Sequence, residues 1–447
     1  MKKWIRYAEK KGAEYVEISS VEGRGTTIEL YNGKIRELSS RFKVGYGVRV
    51  LYKSKFGNAF SNKEEIKNLI DKAIKNSKVM EKRSEIASCK AVKKRFYTKF
   101  KINPEDVDYE RKIKDLVYVD KLRKDYRKVN TLKISYFDGT VNHRFINSEG
   151  SELFVRDIYT VFVAWAFAKT RNKLENFMEI ERGRCGYELM KKSEETARYA
   201  MSKAEELLRA KHAKGGIFDV ILDQKLGGVF THEAVGHACE ADLVLNNSSS
   251  FSKKLGEKIG SDIVNIVDDG NLREWGWTPF DSEGVLAKKT YLVKKGVLLN
   301  FLHSRETSKV FGAEPSGNGR NDSLANKIIP RMTNTYIENG DSNFEEMLSE
   351  IKNGYYLKGS AGGQVDTAGG DFLFNAKEGY IIKNGELNGI VKGVSLLGNI
   401  LETLKNIRLI GNDLKFSGGT CGKSSQGVPI SCGSPHILIE KAKVGGL

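Results

Sequence analysis

The stretch from Leu226 to Ala241 carries at its centre His232-Glu233-Ala234-Val235-Gly236-His237, and the spacing of its two histidines decides how the chain must fold there. Two imidazoles flanking a carboxylate form the layout of a hydrolytic metal site, because neutral imidazole is a common ligand and an adjacent glutamate can take a proton from water. The common zinc helix carries its histidines four residues apart, on one face. Here they are five apart. At 3.6 residues per turn, four residues place the second side chain about 40° round the helix and five place it about 140° round. A regular helix cannot aim both rings at one ion. The spacing therefore predicts a π-type widening or an early helix end between them, with Gly236 the cheapest place to bend.

Working outward, Ile217 to Leu222 reads as a buried strand feeding this helix. The polar tract Asn246-Asn247-Ser248-Ser249-Ser250-Phe251 that follows reads as a surface loop, with a mobile flap as the other reading. Most of the remainder is short strands and turns, with hairpins expected at Lys295-Gly296 and Asn384-Gly385, and helical pattern only around residues 343–353 and 395–406. Upstream, Ala197, Ala200, Met201, Ala204, Leu207 and Leu208 recur at helical spacing, predicting a helix over 193–213 that stops at Gly215-Gly216. Before it lie helical residues 104–125 and strands at 132–137, 144–147, 153–155 and 159–167, with turns at Asp138-Gly139 and Glu149-Gly150. The first residues read as a short helix over 1–12, then strands at 15–19, 26–31, 34–38 and 48–51, with a hairpin at Asn32-Gly33, then a helix over 63–77.

The expected class is α+β: N-terminal units of mixed helices and antiparallel strands, followed by a β-rich, glycine-rich metal-binding domain. The expected divisions are 1–88, 89–213 and 214–447. Composition marks the last boundary. The net charge of +17 lies wholly in residues 1–210, which hold 47 basic against 30 acidic residues, whereas residues 211–447 hold 27 of each. Glycine shifts the other way, with 11 before residue 211 and 34 after it. The basic half contains no stacking motif, zinc finger or helix-turn-helix pattern, so a lysine-rich solvated surface is expected rather than nucleic-acid binding. No apolar run suits a membrane span or a signal core, and a cytoplasmic location is expected. The five cysteines, at 89, 185, 239, 421 and 432, show no regular spacing, so reduced thiols are expected.

A catalytic zinc needs a third protein ligand. Cys421 is the foremost candidate, in the glycine-rich Gly418-Gly419-Thr420-Cys421-Gly422-Lys423, read as a flexible turn with Lys423 near enough to favour ionisation. Cys239, Cys432, Glu240 and Asp242 compete with it, and Glu240 is the strongest acidic rival.

The hexapeptide followed by Glu240-Ala241-Asp242 is one of several motifs that resemble the TldD/PmbA proteins, specifically their metal-bearing TldD-like branch. The others are Phe280-Asp281 with Glu283-Gly284, Leu302-His303-Ser304-Arg305-Glu306-Thr307, Pro330-Arg331-Met332-Thr333-Asn334-Thr335, Gly362-Gly363-Gln364-Val365-Asp366-Thr367, Gly398-Asn399, and Cys421-Gly422-Lys423 with Gln426 and Val428-Pro429. They fall in order over residues 215–447. The resemblance implies a zinc metallopeptidase with His232, His237 and Cys421 as ligands and Glu233 as catalytic base. It also implies a dimer, either of identical chains or with a PmbA-like partner. Ala238, Cys239 and Ser425 depart from the family pattern. The expected substrate is a flexible or unfolded polypeptide, paired as an added strand, with His303 and Arg305 positioning it unless Arg305 is tied to Glu306. The alternative is a peptide-binding or assembly subunit whose metal is structural, closed by Glu240 or Cys239 as a fourth ligand.

Overall fold

The computed structural model describes residues 2–446 and is an α+β protein. In chain order the first half comprises α1 (Lys2–Lys10), β1 (Tyr15–Tyr31), β2 (Lys34–Tyr52), β3 (Lys55–Ser61), α2 (Ile66–Val79), β4 (Lys93–Tyr97), α3 (Tyr109–Lys121), β5 (Val129–Asn147), β6 (Glu152–Lys169), β7 (Leu174–Gly183) and α4 (Ser193–Leu207). Its strands form one seven-stranded sheet in the order β3-β2-β1-β5-β6-β4, with β7 also paired to β6.

The strands are longer than the hydrophobic alternation predicts. Asp138-Gly139 is no turn; it lies mid-strand in β5, opposite Thr26 and Gly25 of β1. Tertiary contacts hold it straight. The Asp138 carboxylate accepts from Lys112 at 2.6 Å, the Tyr136 hydroxyl at 2.7 Å and the Thr26 amide at 3.2 Å. A Cβ on Gly25 would fall 2.6 Å from the Asp138 carbonyl, so β1 and β5 approach closely only because that side chain is missing. The Asn32-Gly33 hairpin forms as expected, with φ of 49° and 74°.

Helices cover one face of the sheet in two groups. Ile66, Leu69, Ile70 and Ala73 of α2 pack on Val16, Ile18, Val48 and Val50. Leu116 and Val119 of α3, with Ala197, Ala200, Met201 and Ala204 of α4, pack on Ile134, Tyr136, Phe162 and Ala164. Phe145 and Leu153 instead meet Phe280 of the C-terminal domain. Helix α4 ends sooner than its apolar stripe suggests, because the chain next adds β8 (Lys211–His212) beside Val391 and Lys392.

Beyond it β9 (Gly216–Leu222) runs through the middle of a ten-stranded sheet, between the parallel strand Asn353–Lys358 and the antiparallel strand Ile437–Gly445. A six-stranded sheet contains Ile266–Asp269, Asn334–Ile337, Gln426–Ser434 and Lys415–Lys423 in that order. A large apolar core joins the two C-terminal sheets and encloses the histidine-bearing helix. The hairpins at Lys295-Gly296 and Asn384-Gly385 form with positive φ at all four residues. No helix among the described residues is long and apolar enough to cross a membrane.

Candidate metal centre

Asp223 starts the helix by accepting the Leu226 amide at 2.8 Å, and α5 (Gln224–Phe230) follows. Over Thr231–Gly236 the helix widens to the π form, with the His237 amide donating to the carbonyl of His232. The added residue turns a five-residue separation into nearly one turn. The two rings then lie 5.2 Å apart between centroids. Gly236 keeps ordinary helical angles, φ −59° and ψ −50°. Its missing side chain serves packing instead: a Cβ there would sit 1.9 Å from the sulfur of Met332. After a short tight turn over His237–Cys239, α6 (Ala241–Leu245) continues the chain.

The third donor arrives on the strand Lys415–Lys423, not on a flexible turn. Cys421 pairs with Val428 across a hairpin whose tip, Ser424-Ser425, takes φ of 51° and 60°. One donor atom from each of His232, His237 and Cys421 lies within 4.8 Å of the others, and all three residues are buried. The Cys421 sulfur is 3.3 Å from Nε2 of His237. A tetrahedral ion bound at about 2.0–2.3 Å holds its donors roughly 3.5 Å apart, so the group fits a single ion with modest closure. Among the described residues, neither ring nitrogen of the buried His232 has a hydrogen-bond partner, although the Cys421 and Cys432 thiols lie beside it. A protein seldom leaves such a group orphaned unless something binds there. Burial pushes the Cys421 thiol up, but the two imidazoles beside it outweigh that and bring it down to about 5, which favours the ligating thiolate.

Glu240 stands behind His237 rather than among the donors. Its Oε2 accepts from His237 Nδ1 at 2.9 Å, leaving Nε2 to face Cys421. This is the carboxylate–histidine pairing that orients metal-ligating imidazoles. Burial pulls His237 down, yet Glu240 raises it to about 10, so a ligand ion must displace that proton. Lys423 reaches the same Oε2 at 3.0 Å and Asp242 at 2.7 Å. The fully buried Arg331 donates to the Cys421 carbonyl at 2.6 Å and places Nε 3.8 Å from Oε1 of Glu240. Sequence reasoning missed Arg331 as a support, and it expected Lys423 to act on Cys421 where the structure pairs it with Glu240 and Asp242. The signal available was an arginine between apolar neighbours, which needs buried acceptors.

Glu233 is the exposed member of the hexapeptide, with 37% of its side chain accessible and Oε2 3.6 Å from His237 Nε2. Cys239 lies in the apolar core, and burial beside Glu240 and Asp268 pushes its thiol up. Cys432 neighbours His232 but is outside the converging group. His303 and Arg305 are not at this centre. His303 is buried against Phe311 and bonded to Thr307 at 3.2 Å. Arg305 is wholly buried between the two halves, over the ring of Tyr15, and bonded to the Ala87 carbonyl at 2.7 Å and Glu149 at 2.5 Å. Glu306 pairs with Lys82, not Arg305. The polar tract is anchored: Ser249 donates to the Ala238 carbonyl at 2.6 Å, and Phe251 is buried.

Sequence profiles of the three PmbA/TldA metallopeptidase domains match this chain, domain 1 over residues 16–77, the central domain over 102–208 and the C-terminal domain over 215–446. The chain belongs to the PmbA/TldD family of metalloproteases. It is 42% identical over 429 residues to a metalloprotease of Methanocaldococcus jannaschii, covering 94% of each chain. It is 29% identical over 459 residues to a protein of Saccharolobus solfataricus named a zinc metalloprotease TldD homolog, covering 100% of both. The crystal structure of TldE from Thermococcus kodakarensis shares its fold, with a TM-score of 0.81 and 21% identity over 100% of both chains. Within the PmbA/TldD fold, the converging trio sits where α5 and its π extension meet the last hairpin of the six-stranded sheet.

Proposed function

We propose that this metalloprotease is zinc-dependent and hydrolyses peptide bonds in flexible or unfolded polypeptides. The orphaned nitrogens of buried His232, converging with His237 and Cys421, carry the reading. These three residues would hold the ion, which when bound polarises the scissile carbonyl and makes water easier to deprotonate. Glu233, the accessible carboxylate beside them, accepts the proton from the attacking water and later delivers it to the leaving amine. Glu240, held by Lys423 and Arg331, keeps the His237 ring turned toward the site.

Substrate pairs with the edge strand Gly363–Val365, whose ladder neighbour is Asp371–Asn375 on one side only. Main-chain bonding of this kind grips peptides with little regard for sequence. The chain works as a dimer, with itself or with a PmbA-like partner; Leu38 and Phe42, 48% and 64% exposed on β2, suit such a contact. A purely structural metal is the weaker reading, because Glu240, the best fourth ligand, is already committed to His237 and Lys423.

Metal per chain by elemental mass spectrometry, measured beside cleavage of unfolded casein, tests the proposal. The parent should hold near one zinc and cleave. Cys421→Ala should lose both. Glu233→Gln should keep the metal and lose cleavage by about 10²–10⁴-fold; unchanged cleavage by that variant would falsify the assigned base.

A further inference from the structure

A cavity of about 710 Å³ lies away from the candidate metal centre, between the N-terminal sheet and the segment 321–328. Its size is that of pockets that enclose ligands. Strands β1, β2, β3 and β5 form one wall, and Leu324 and Ile328 lie on the other. Apolar side chains of Val21, Phe60 and Val141 line the sheet side, and Leu324 stands over Gly45 and Gly47 of β2. Phe60 is 62% exposed, an aromatic ring open to solvent at the mouth.

The polar groups on the lining are mostly neutral. Ser19, Asn58, Asn62, Asn321, Ser323 and Asn326 supply hydroxyls and amides, and Asn58 Oδ1 is buried with no partner among the described residues. His143 lies 3.4 Å from the Ser19 hydroxyl, and burial pulls it down to about 4, so it is uncharged at neutral pH. The charged lining residues are two acids and two bases, Glu17, Asp322, Lys43 and Arg49, and Glu17 pairs with Arg49 at 2.9 Å. A balanced set, with Glu17 and Arg49 already paired, selects neither a phosphate nor a polyanion. Apolar walls with scattered neutral donors and acceptors match an uncharged polypeptide segment, whose side chains are buried and whose amides need partners.

The segment 321–328 also touches the hairpin that carries Cys421. The Gly427 amide donates to Asp322 at 3.0 Å, the Asp322 amide to Gln426 at 3.3 Å, and Gln426 Nε2 to the Lys327 carbonyl at 2.9 Å. The cavity and the metal centre thus share one structural member.

We infer that this cavity is a distal anchoring site for the unfolded polypeptide substrate, taking an uncharged segment with apolar side chains remote from the scissile bond. The inference rests on the peptidase reading for its substrate but not for its binding. An anchor of this kind contributes equally to ground state and transition state, so its loss raises KM and leaves kcat unchanged.

Val141→Trp fills the cavity from a half-buried position, and Phe60→Ala removes the ring at its mouth from an exposed one, so the second variant folds even where the first fails. Each is compared with the parent on reduced, carboxymethylated casein and on a short neutral hexapeptide. Binding of fluorescently labelled casein is read by anisotropy in a Glu233→Gln background. The expected result is a rise of about tenfold in KM for casein, unchanged kcat, an unchanged hexapeptide KM, and weaker casein binding. Folded variants that cleave and bind casein like the parent overturn the cavity proposal while leaving the peptidase intact. A parent that cleaves nothing, yet binds casein through Phe60 and Val141, overturns the peptidase reading and upholds the cavity.

Discussion

The two pieces of chain that meet at the candidate metal centre are seated by different combinations of packing and charge. The π segment bearing His232 and His237 is embedded in apolar core, with Phe230, Ala234, Val235 and Ala238 all buried and Met332 filling the space over Gly236. The hairpin bearing Cys421 also buries Val428 and Ile430 in that core, and cations hold it besides. Arg331 bonds the Cys421 carbonyl at 2.6 Å, and Arg320 reaches the Pro429 carbonyl at 2.8 Å. Close packing fixes a position through many weak contacts, whereas a buried guanidinium fixes it through a few directional bonds. The centre therefore has one side set by packing and one set by packing and charge together, and Glu240 ties them through His237, Lys423 and Arg331.

The strongest way to break this comparison is on the charged side. Arg331→Met should lower unfolding stability by about 3 kcal/mol, the low end for a broken buried pair because Lys423 still faces Glu240. Chemical denaturation measures it, and a neutral outcome would mean that packing seats both sides.

Acid should weaken the neighbouring segment next. His303 directly follows Leu302, which bridges to Glu240, and burial, with Lys288 nearby, pulls its imidazole down to about 4. The unfolded chain takes a proton near pH 6.5, while the folded chain resists until about pH 4. The stability is therefore complete above about pH 6.5 and falls across the window down to pH 4, by about 2–3 kcal/mol for this residue. Denaturation midpoints across that window should slope downward, and His303→Leu should flatten the slope.

The packing side is tested by Gly236→Ala. The new methyl collides with the Met332 sulfur at 1.9 Å, and overpacking of this kind costs about 1–3 kcal/mol. Adding Met332→Ala should recover part of the loss in a double-mutant cycle, and full additivity would show that the two do not touch. The smallest effect belongs to the tie itself. Glu240→Gln should keep the fold and weaken binding of the proposed zinc by about tenfold, read by competition with a chromophoric chelator. An unchanged affinity would show that the His237 ring is oriented without it.

Much of the centre could be read from the chain alone. The five-residue histidine spacing demanded a departure from the α-helix, and the π segment over Thr231–Gly236 meets that demand. Spacing on one helix is local, and local geometry follows from rise and rotation per residue. The hairpins at Asn32-Gly33 and Lys295-Gly296 were legible for the same reason, since two residues with positive φ suffice. The family motifs likewise pointed to His232, His237 and Cys421 before any geometry was available.

What lay beyond the sequence depends on partners far along the chain. Asp138-Gly139 has the composition of a turn, and only Lys112, Tyr136 and Thr26 keep it in a strand. Glycines 418 and 419 suggest a flexible loop, but pairing with residues 430 and 431 draws them into the strand that carries Cys421. Arg305 resembles a substrate-binding residue until the N-terminal half closes over it, supplying Ala87, Tyr15 and Glu149. Helix pitch, turn chemistry and candidate ligand identity are local properties of a dozen residues. Which side of His237 Glu240 occupies, and which arginine holds Cys421, depend on burial and charge compensation among segments nearly 200 residues apart, and only the folded chain decides them.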